Sequence, residues 1–335
     1  MTNKEWFAQA KYGMMIHFGL YSVLGGEWRG QRVETASEWI QNTLAIPGAE
    51  YSQLTKVFNP IYFNAEEWVL SAKEAGMEYM VVTSKHHDGF CLFQSEYDNY
   101  NCVDSTPFGR DIIAELAEAC YKHNLKLGLY YSQEIDWHEP HGGGYHTDRA
   151  PGEWDWTNYW DYPDPTKKDF SLCFETKIKT QFKEILTKYG DLCLIWCDTP
   201  IDITNEQSME LYNMIKHYQP DCLINSRIGN SVGDYQSCSD NLVSFNAGDE
   251  CGTGGGNKTG GKAVGERYGL YECPVTTCES WGWKTDCQWK SPEALKASKD
   301  RLNAQGVNYL LNIGPDHLGR LPLTALDILK KMQTY

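Results

Sequence analysis

The residues able to do chemistry stand at the ends of short apolar runs. Asp198 closes the run Asp191-Leu-Cys-Leu-Ile-Trp-Cys-Asp198 and is followed by Thr199 and Pro200. Residues 192–196 read as a strand buried on both faces, and Pro200 cannot continue a central ladder. A lone acid at such an end, beside Trp196, suits a nucleophile; an Asp that merely caps the next turn is the plain alternative. Other runs end in His17, in Lys85-His86-His87-Asp88-Gly89, in Tyr130, in Arg227 and in Asn312. Carboxyl groups that could partner Asp198 follow it: Asp234, Asp240, Asp249, Glu250, Glu272 and Glu279. Acid, imidazole, guanidinium and indole groups gathered in this way suit glycoside hydrolysis. That reaction needs one carboxyl group as nucleophile or base and a second as proton donor. His, Arg and Asn would bind sugar hydroxyls, and Trp would cover the apolar face of a sugar ring.

Competing chemistries have weaker signals. His86-His87 could hold a metal with His138, His141 and His146, but no HExxH or Cys/His zinc spacing is present, so no metal is expected. Gly256-Asn-Lys-Thr-Gly-Gly261-Lys262 fits a phosphate loop until Ala263 stands where Ser or Thr should bind magnesium. It reads as a plain loop. Cys197 could be a thiol nucleophile, but strand alternation turns it from the side that Trp196 and Asp198 share.

The elements that must position these groups alternate along the chain. Strands are expected near residues 13–17, 79–84, 125–131, 192–196, 221–225 and 308–312, with an extended stretch over 268–273. Helices are expected over 51–58, 65–75, 111–123, 175–189, 206–218, 292–305 and 323–332. Asn64 is a natural N-cap and Gly76 a natural stop. Residues 136–164 and 229–263 read as long loops over the site. The alternation runs without linker or fixed-period repeat, which predicts a single α/β domain over residues 1–335, a (β/α)8-like TIM barrel with its polar strand ends on one rim. No early GxGxxG supports an open doubly wound sheet.

Composition narrows the partners. The 335 residues carry a net charge of −15, with 12 Trp and 21 Tyr, and the pI is near 5.0. Nucleic acid and anionic membranes are therefore excluded as expected partners. Aromatic richness suits stacking on sugar rings. The 12 Cys include no CxxC pair and read as reduced, buried thiols of a cytoplasmic protein. No apolar stretch approaches the about 20 residues of a membrane span, and no signal region opens the chain. Oligomeric state is left open; a homo-oligomer is compatible with all of this.

Taken together, Lys11-Tyr-Gly-Met-Met-Ile-His17-Phe-Gly-Leu-Tyr-Ser22, Gly26-Glu27-Trp28, Phe58-Asn-Pro60, Thr83-Ser-Lys-His-His-Asp-Gly-Phe90, Gly128-Leu-Tyr-Tyr-Ser132, Leu194-Ile-Trp-Cys-Asp198, Asn225-Ser-Arg227, Glu279-Ser-Trp-Gly282 and Leu310-Leu-Asn-Ile-Gly-Pro315 resemble the α-L-fucosidases of glycoside hydrolase family 29. The resemblance covers nearly the whole chain, in order. It implies a retaining exo-fucosidase acting on terminal fucosyl residues of oligosaccharides or glycans through a covalent fucosyl ester of Asp198. It needs no cofactor. By the same match His17, Glu27, Trp28, His86, His87, Tyr130, Trp196 and Arg227 would line the fucose pocket, with Trp281 as an aromatic wall. Tyr131 is the alternative to Tyr130, and alternation with Gly128 favours Tyr130. The family strand usually reads Trp-Phe-Asp-Gly; here it is Trp-Cys-Asp-Thr. The family's C-terminal β-sandwich is not expected in this chain.

The proton donor in this family lies on a variable loop, some forty residues past the nucleophile, and is usually Glu. Asp240, 42 positions after Asp198 (240 − 198), is the preferred candidate. Glu272 is its competitor and is otherwise a substrate-binding candidate. Two readings from other classes stand beside this one. A fucose-binding barrel without turnover would gain nothing from a buried acid below the anomeric carbon. A metal-dependent barrel hydrolase or isomerase would lose activity on chelation.

Overall fold

The structure is a computed structural model, and it describes residues 2–144, 156–244 and 269–334. Asp249, Glu250, His146 and residues 252–262 of the sequence reading lie outside the described residues. Eight strands form one parallel sheet: β1 (Tyr12–Ile16), β4 (Tyr79–Lys85), β5 (Lys126–Ser132), β6 (Leu194–Asp198), β7 (Leu223–Ile224), β8 (Gln236–Ser237), β9 (Tyr271–Thr276) and β10 (Val307–Ile313). A separate antiparallel ribbon joins β2 (Glu27–Trp28) to β3 (Gln31–Arg32). The sheet order is β7-β6-β5-β4-β1-β10-β9-β8. Its edge strands meet where Asn225 bridges Tyr235 in parallel. There Ile224 donates its N–H to the Asp234 carboxylate at 3.2 Å, and Lys216 holds that carboxylate at 2.6 Å. The sheet is curled into a barrel.

Chain alternation divides the core into two layers. One set of side chains, including Met14, Ile16, Met80, Val82, Leu129, Tyr131, Ile195 and Cys197, packs outward against the helices. The other set, Met15, Tyr79, Val81, Tyr130, Leu194, Trp196, Leu223, Tyr235 and Leu310, fills the interior. Strands β1, β4, β6 and β10 are buried along their whole length, as continuous apolar runs between a filled interior and a helical layer must be. The helix Asn3–Ala10, closed by a Thr2–Glu5 capping box, plugs the interior from one end: Trp6 packs edge-on to Tyr79 at 5.6 Å and Phe7 lies 4.6 Å from Tyr235. Helices form at Ala65–Glu74, Ile112–His123, Asn205–Tyr218, Pro292–Ala304 and Leu323–Met332, close to the expected ranges; Asn64 caps the first as expected, and Asp111, Thr204 and Ser291 cap the next three. None of the described helices is long and apolar enough to cross a membrane.

Three local departures from the sequence reading have physical causes. β8 lies inside the stretch read as a polar loop, because two polar residues paired to β9 leave no periodic signal. The helix expected over 175–189 starts earlier, at Phe170, and passes through a π turn at Phe174–Ile178. That turn carries Lys177 into the core, where it and Lys85 both bind Asp136, at 2.9 and 2.8 Å. Residues 51–58 form one turn of α-helix at Gly48–Tyr51 followed by a 3₁₀ segment at Ser52–Lys56.

Gly13 is required by a close approach: a Cβ there would lie 2.4 Å from the Tyr79 ring, which is fully buried. Gly13→Ala should lower the unfolding free energy by about 1–3 kcal/mol, as overpacking does. Urea denaturation measures this. An unchanged midpoint would show that the ring shifts freely.

Candidate active site

At the carboxyl end of the strands one pocket is lined by Met15, His17, Glu38, Trp39, His86, His87, Tyr130, Trp156, Trp196, Asp198, Thr199, Arg227, Asp240 and Trp281. Its floor is the packed interior layer, so it is blind. Asp198 stands at the end of β6, with both oxygens engaged. Tyr130 donates its hydroxyl to Oδ2 at 2.7 Å, and Arg227 donates from Nη1 to Oδ1 at 2.9 Å. The registry of β5 on β6, with Tyr130 opposite Trp196, places the tyrosine there. Tyr131 faces the helices and donates to Gln181. Burial, then the neighbouring Asp198 charge, raises the Tyr130 pKa well above its ordinary value, so the phenol stays a donor.

Arg227 joins both candidate carboxylates. Its Nη2 donates to Asp240 Oδ1 at 2.5 Å and to the Cys238 carbonyl at 3.0 Å, and its guanidinium lies 4.6 Å over the Trp196 ring. Burial works against this charge, but Asp240 and Asp198 outweigh it and hold the Arg227 pKa above its ordinary value. The Asp240 side chain is 40% exposed and Asp198 only 11%, so Asp240 is the one with room to move.

The histidines are neutral acceptors. His86 and His87 both line the pocket although neighbours on a regular strand face opposite ways, because the register of β4 shifts between Thr83 and Lys85 and the strand then ends. His17 Nδ1 is 2.7 Å from Asn312 Oδ1, while the Asn312 amide donates to the Trp281 carbonyl; His17 therefore carries its proton on Nδ1. His87 Nδ1 is 2.7 Å from Ser132 Oγ, which donates to Ile135 O, so the same tautomer follows, with Nε2 3.8 Å from Asp198 Oδ2. Burial lowers the His17 pKa to about 4, against the pull of Asn312, and burial, followed by the neighbouring imidazoles and Lys85, lowers His86 and His87 well below the ordinary value. Trp281 packs on His17 at 5.1 Å.

Three expected site residues lie elsewhere. Glu27 is exposed on the β2–β3 ribbon and paired with Arg32 at 2.9 Å, and Trp28 beside it carries Arg29 on its ring. Neither lines the pocket. A second Glu-Trp pair, Glu38-Trp39, stands there instead, on a 3₁₀ turn docked against residues 280–283. Ser280 Oγ and the Gly282 N–H donate to Glu38 Oε2 at 3.2 and 2.9 Å. Glu272 is fully buried beneath the pocket. It accepts from Trp196 Nε1 at 2.7 Å, Tyr79 OH at 2.6 Å and Tyr235 OH at 3.4 Å. Burial raises its pKa to about 7, a value fit for an acid catalyst, but a group with no route to the pocket cannot transfer a proton there. Glu272 orients Trp196.

The remaining acids have structural partners. Asp234 pins the barrel closure, and Glu279 accepts from Lys284 and the Gln288 N–H. His138 stacks on Tyr100 at 3.8 Å, and His141 accepts from the Asp169 N–H. Besides Glu38 and Trp39, the sequence reading missed Met15, Trp156 and Thr199 as lining residues. Thr199 has φ of 52°, a left-handed conformation that costs a β-branched residue roughly 1–2 kcal/mol. The Thr in place of the usual Gly after Asp198 was the one visible sign of it.

A sequence model described as alpha-L-fucosidase matches residues 1–335. The chain belongs to the α-L-fucosidase family. It is a glycoside hydrolase. It is 28% identical to the plasma alpha-L-fucosidase of Rattus norvegicus, an alignment that takes in 98% of this chain and 68% of that protein. The corresponding human protein is 27% identical, with 98% and 67% covered. Among solved structures, alpha-L-fucosidase AlfC from Lactobacillus casei in complex with alpha-L-fucose product is 47% identical, with TM-score 0.89 over 99% of this chain and 97% of that one. Isoenzyme 1 from Paenibacillus thiaminolyticus is 31% identical, with TM-score 0.79 over 99% and 74%.

Burial raises the Glu38 pKa from an ordinary 4.5 to about 7, against the hydrogen bonds from Gly282 and Ser280. The folded state therefore holds a proton that the unfolded chain gives up, and stability falls as pH rises from 4.5 to 7. Glu38→Gln removes this dependence. Its stability relative to the unsubstituted protein should improve by roughly 3 kcal/mol across that window, read from urea denaturation at each pH. A difference that does not vary with pH would show that Glu38 titrates as an ordinary carboxyl.

Proposed function

We propose that residues 1–335 form one (β/α)8-like catalytic domain acting as a retaining exo-α-L-fucosidase, with Asp198 as nucleophile and Asp240 as general acid and base. The observation that carries this reading is the single guanidinium of Arg227 holding both carboxylates at the mouth of a blind pocket. In the first step Asp198 attacks the anomeric carbon as the glycosidic C–O bond breaks and Asp240 protonates the departing oxygen. In the second, water attacks the fucosyl ester, Asp240 takes its proton, and Asp198 leaves as a carboxylate. The Tyr130 and Arg227 donors hold the Asp198 carboxylate in place before attack and stabilise it again on departure. To act as an acid, Asp240 must turn from Arg227 toward the departing oxygen; its exposed loop position allows this.

His17 and His87 offer Nε2 lone pairs to sugar hydroxyls, Glu38 adds a carboxyl acceptor, and Trp281 covers the C5 methyl. A blind pocket admits one terminal residue, which makes the enzyme exo-acting. No cofactor takes part, because two carboxyl groups supply both nucleophile and proton. The free, buried cysteines among the described residues suit a cytoplasmic place of action. AlfC variants have been solved with Fuca(1,6)GlcNAc and with 4-nitrophenyl-a-L-fucopyranoside; we extend both to this chain, the disaccharide as substrate and the aryl fucoside as assay compound.

Asp198→Gly should lower kcat on the aryl fucoside by about 10⁴-fold or more, and azide should restore part of it by filling the space and attacking the anomeric carbon. Activity close to that of the unsubstituted enzyme would end the nucleophile assignment. Asp240→Ala should slow the disaccharide by roughly 10²–10⁴-fold, because its leaving group needs a proton. On the aryl fucoside it should slow the second step most, giving a burst of phenol and accumulated fucosyl-enzyme by mass spectrometry. Equal losses on both substrates with no burst would remove Asp240 from proton transfer.

A further inference from the structure

The pocket wall is tied to a pair of thiols that the hydrolytic chemistry does not use. Cys278 Sγ, Cys287 Sγ and a Glu279 carboxylate oxygen lie within 4.8 Å of one another. Among the described residues ten cysteines are buried, and Cys287 is the one that reaches the surface in part. The ten residues from Cys278 to Cys287 carry Ser280, Trp281 and Gly282. Through them they carry both donors to Glu38 and the ring that packs on His17.

The donor set could suggest a soft divalent ion. The surroundings disfavour it. Glu279 already accepts from Lys284 Nζ at 3.0 Å and from the Gln288 N–H at 2.6 Å. The Lys284 charge would repel a second cation, and only two uncommitted ligands remain, fewer than zinc requires. Two adjacent thiols, one of them bound to the Ser280 carbonyl of the wall, are instead suited to two-electron oxidation.

We infer that Cys278 and Cys287 are a redox-active pair, closed to a disulfide by a peroxide, and that closure weakens fucoside hydrolysis by displacing the wall residues between them. The neighbouring Cys287 thiol lowers the Cys278 pKa and favours its thiolate, while Cys287 itself is pushed up; the Cys278 thiol donates to the Ser280 carbonyl at 3.6 Å. The Cys278 thiolate attacks one oxygen of hydrogen peroxide. The O–O bond breaks, the other oxygen leaves as water with the proton released by the thiol, and a sulfenic acid remains. Cys287 sulfur then attacks the Cys278 sulfur, the S–O bond breaks, and a second water leaves with the Cys287 proton. Two thiols and one peroxide give one disulfide and two waters. Closure draws the sulfurs from within 4.8 Å to bond distance, about 2.0 Å. It therefore moves Cys278, which stands two residues from Ser280 and three from Trp281.

The test treats the full chain with near-stoichiometric hydrogen peroxide and maps the peptides by mass spectrometry. The expected result is a Cys278–Cys287 crosslink with the loss of two hydrogen masses, formed before any other cysteine reacts and reversed by dithiothreitol. On the aryl fucoside, kcat/KM should fall by about two- to tenfold on oxidation, the worth of one hydrogen bond in the Glu38 set, and return on reduction. Cys287→Ser and Cys278→Ser should each abolish both the crosslink and the reversible loss. Oxidation that begins at another cysteine, a crosslink without any change in kcat/KM, or undiminished peroxide sensitivity in both variants overturns the proposal.

Discussion

Arg227 is the interaction on which the site depends. Two carboxylates facing one small pocket repel each other unless a cation stands between them. One buried guanidinium, with Nη1 on Asp198 and Nη2 on Asp240, donates to both and holds them at fixed positions. Its position is fixed in turn by the Cys238 carbonyl and by the Trp196 face, and Trp196 is held from beneath by Glu272. A chain of contacts thus runs from the floor of the barrel through Glu272, Trp196 and Arg227 to Asp198. Planarity matters here: a lysine could reach one carboxylate but could not span two in a fixed plane.

The opposite side of the pocket is built by withholding charge. His17, His86 and His87 are buried without a carboxylate in direct hydrogen-bond contact, so desolvation dominates and they are neutral. The Lys of the same Lys-His-His-Asp segment is turned away, and with Lys177 it outweighs the cost of burying Asp136, whose pKa is held low. A neutral imidazole wall accepts hydrogen bonds from hydroxyls and leaves the Asp198 charge to Tyr130 and Arg227. Glu38 stands on that wall as a carboxyl that burial keeps partly protonated near neutrality. Its Oε2 is bonded to the segment after β9, so the geometry of that segment and of the pocket are one.

Much of the molecule was legible in the sequence, for reasons of local physics. Apolar runs buried on both faces reveal themselves as strands, Asn64 and Gly76 bracket a helix, and polar groups at strand ends must share a rim once the strands are parallel. Alternation alone assigned Tyr130 inward and Cys197 outward, and both sit as assigned. Asp198, His17, His86, His87 and Arg227 line one pocket because they stand at or just past the ends of strands that are strong local signals. The placement of Glu27, Trp28 and Glu272 in the pocket was wrong because it depends on contacts distant in the chain. Two Glu-Trp pairs eleven residues apart look alike locally, and only packing against residues 280–283 draws the second one inward. Glu272 lies on a real strand, but its depth follows from the register of β9 against β10, where it stands opposite Asn308.

By itself, then, the sequence determined where most strands and helices lie, which face of each long strand is apolar, and that an acid, imidazoles and a guanidinium end on one rim. Those properties are set within a few residues by side-chain size, polarity and period. The tertiary structure alone decided which Glu meets the pocket, that one guanidinium joins Asp198 to Asp240, and that Cys278 and Cys287 lie together. Each of these is a juxtaposition across turns or between strands. It is fixed by strand register and by desolvation, and neither has a local sequence signature.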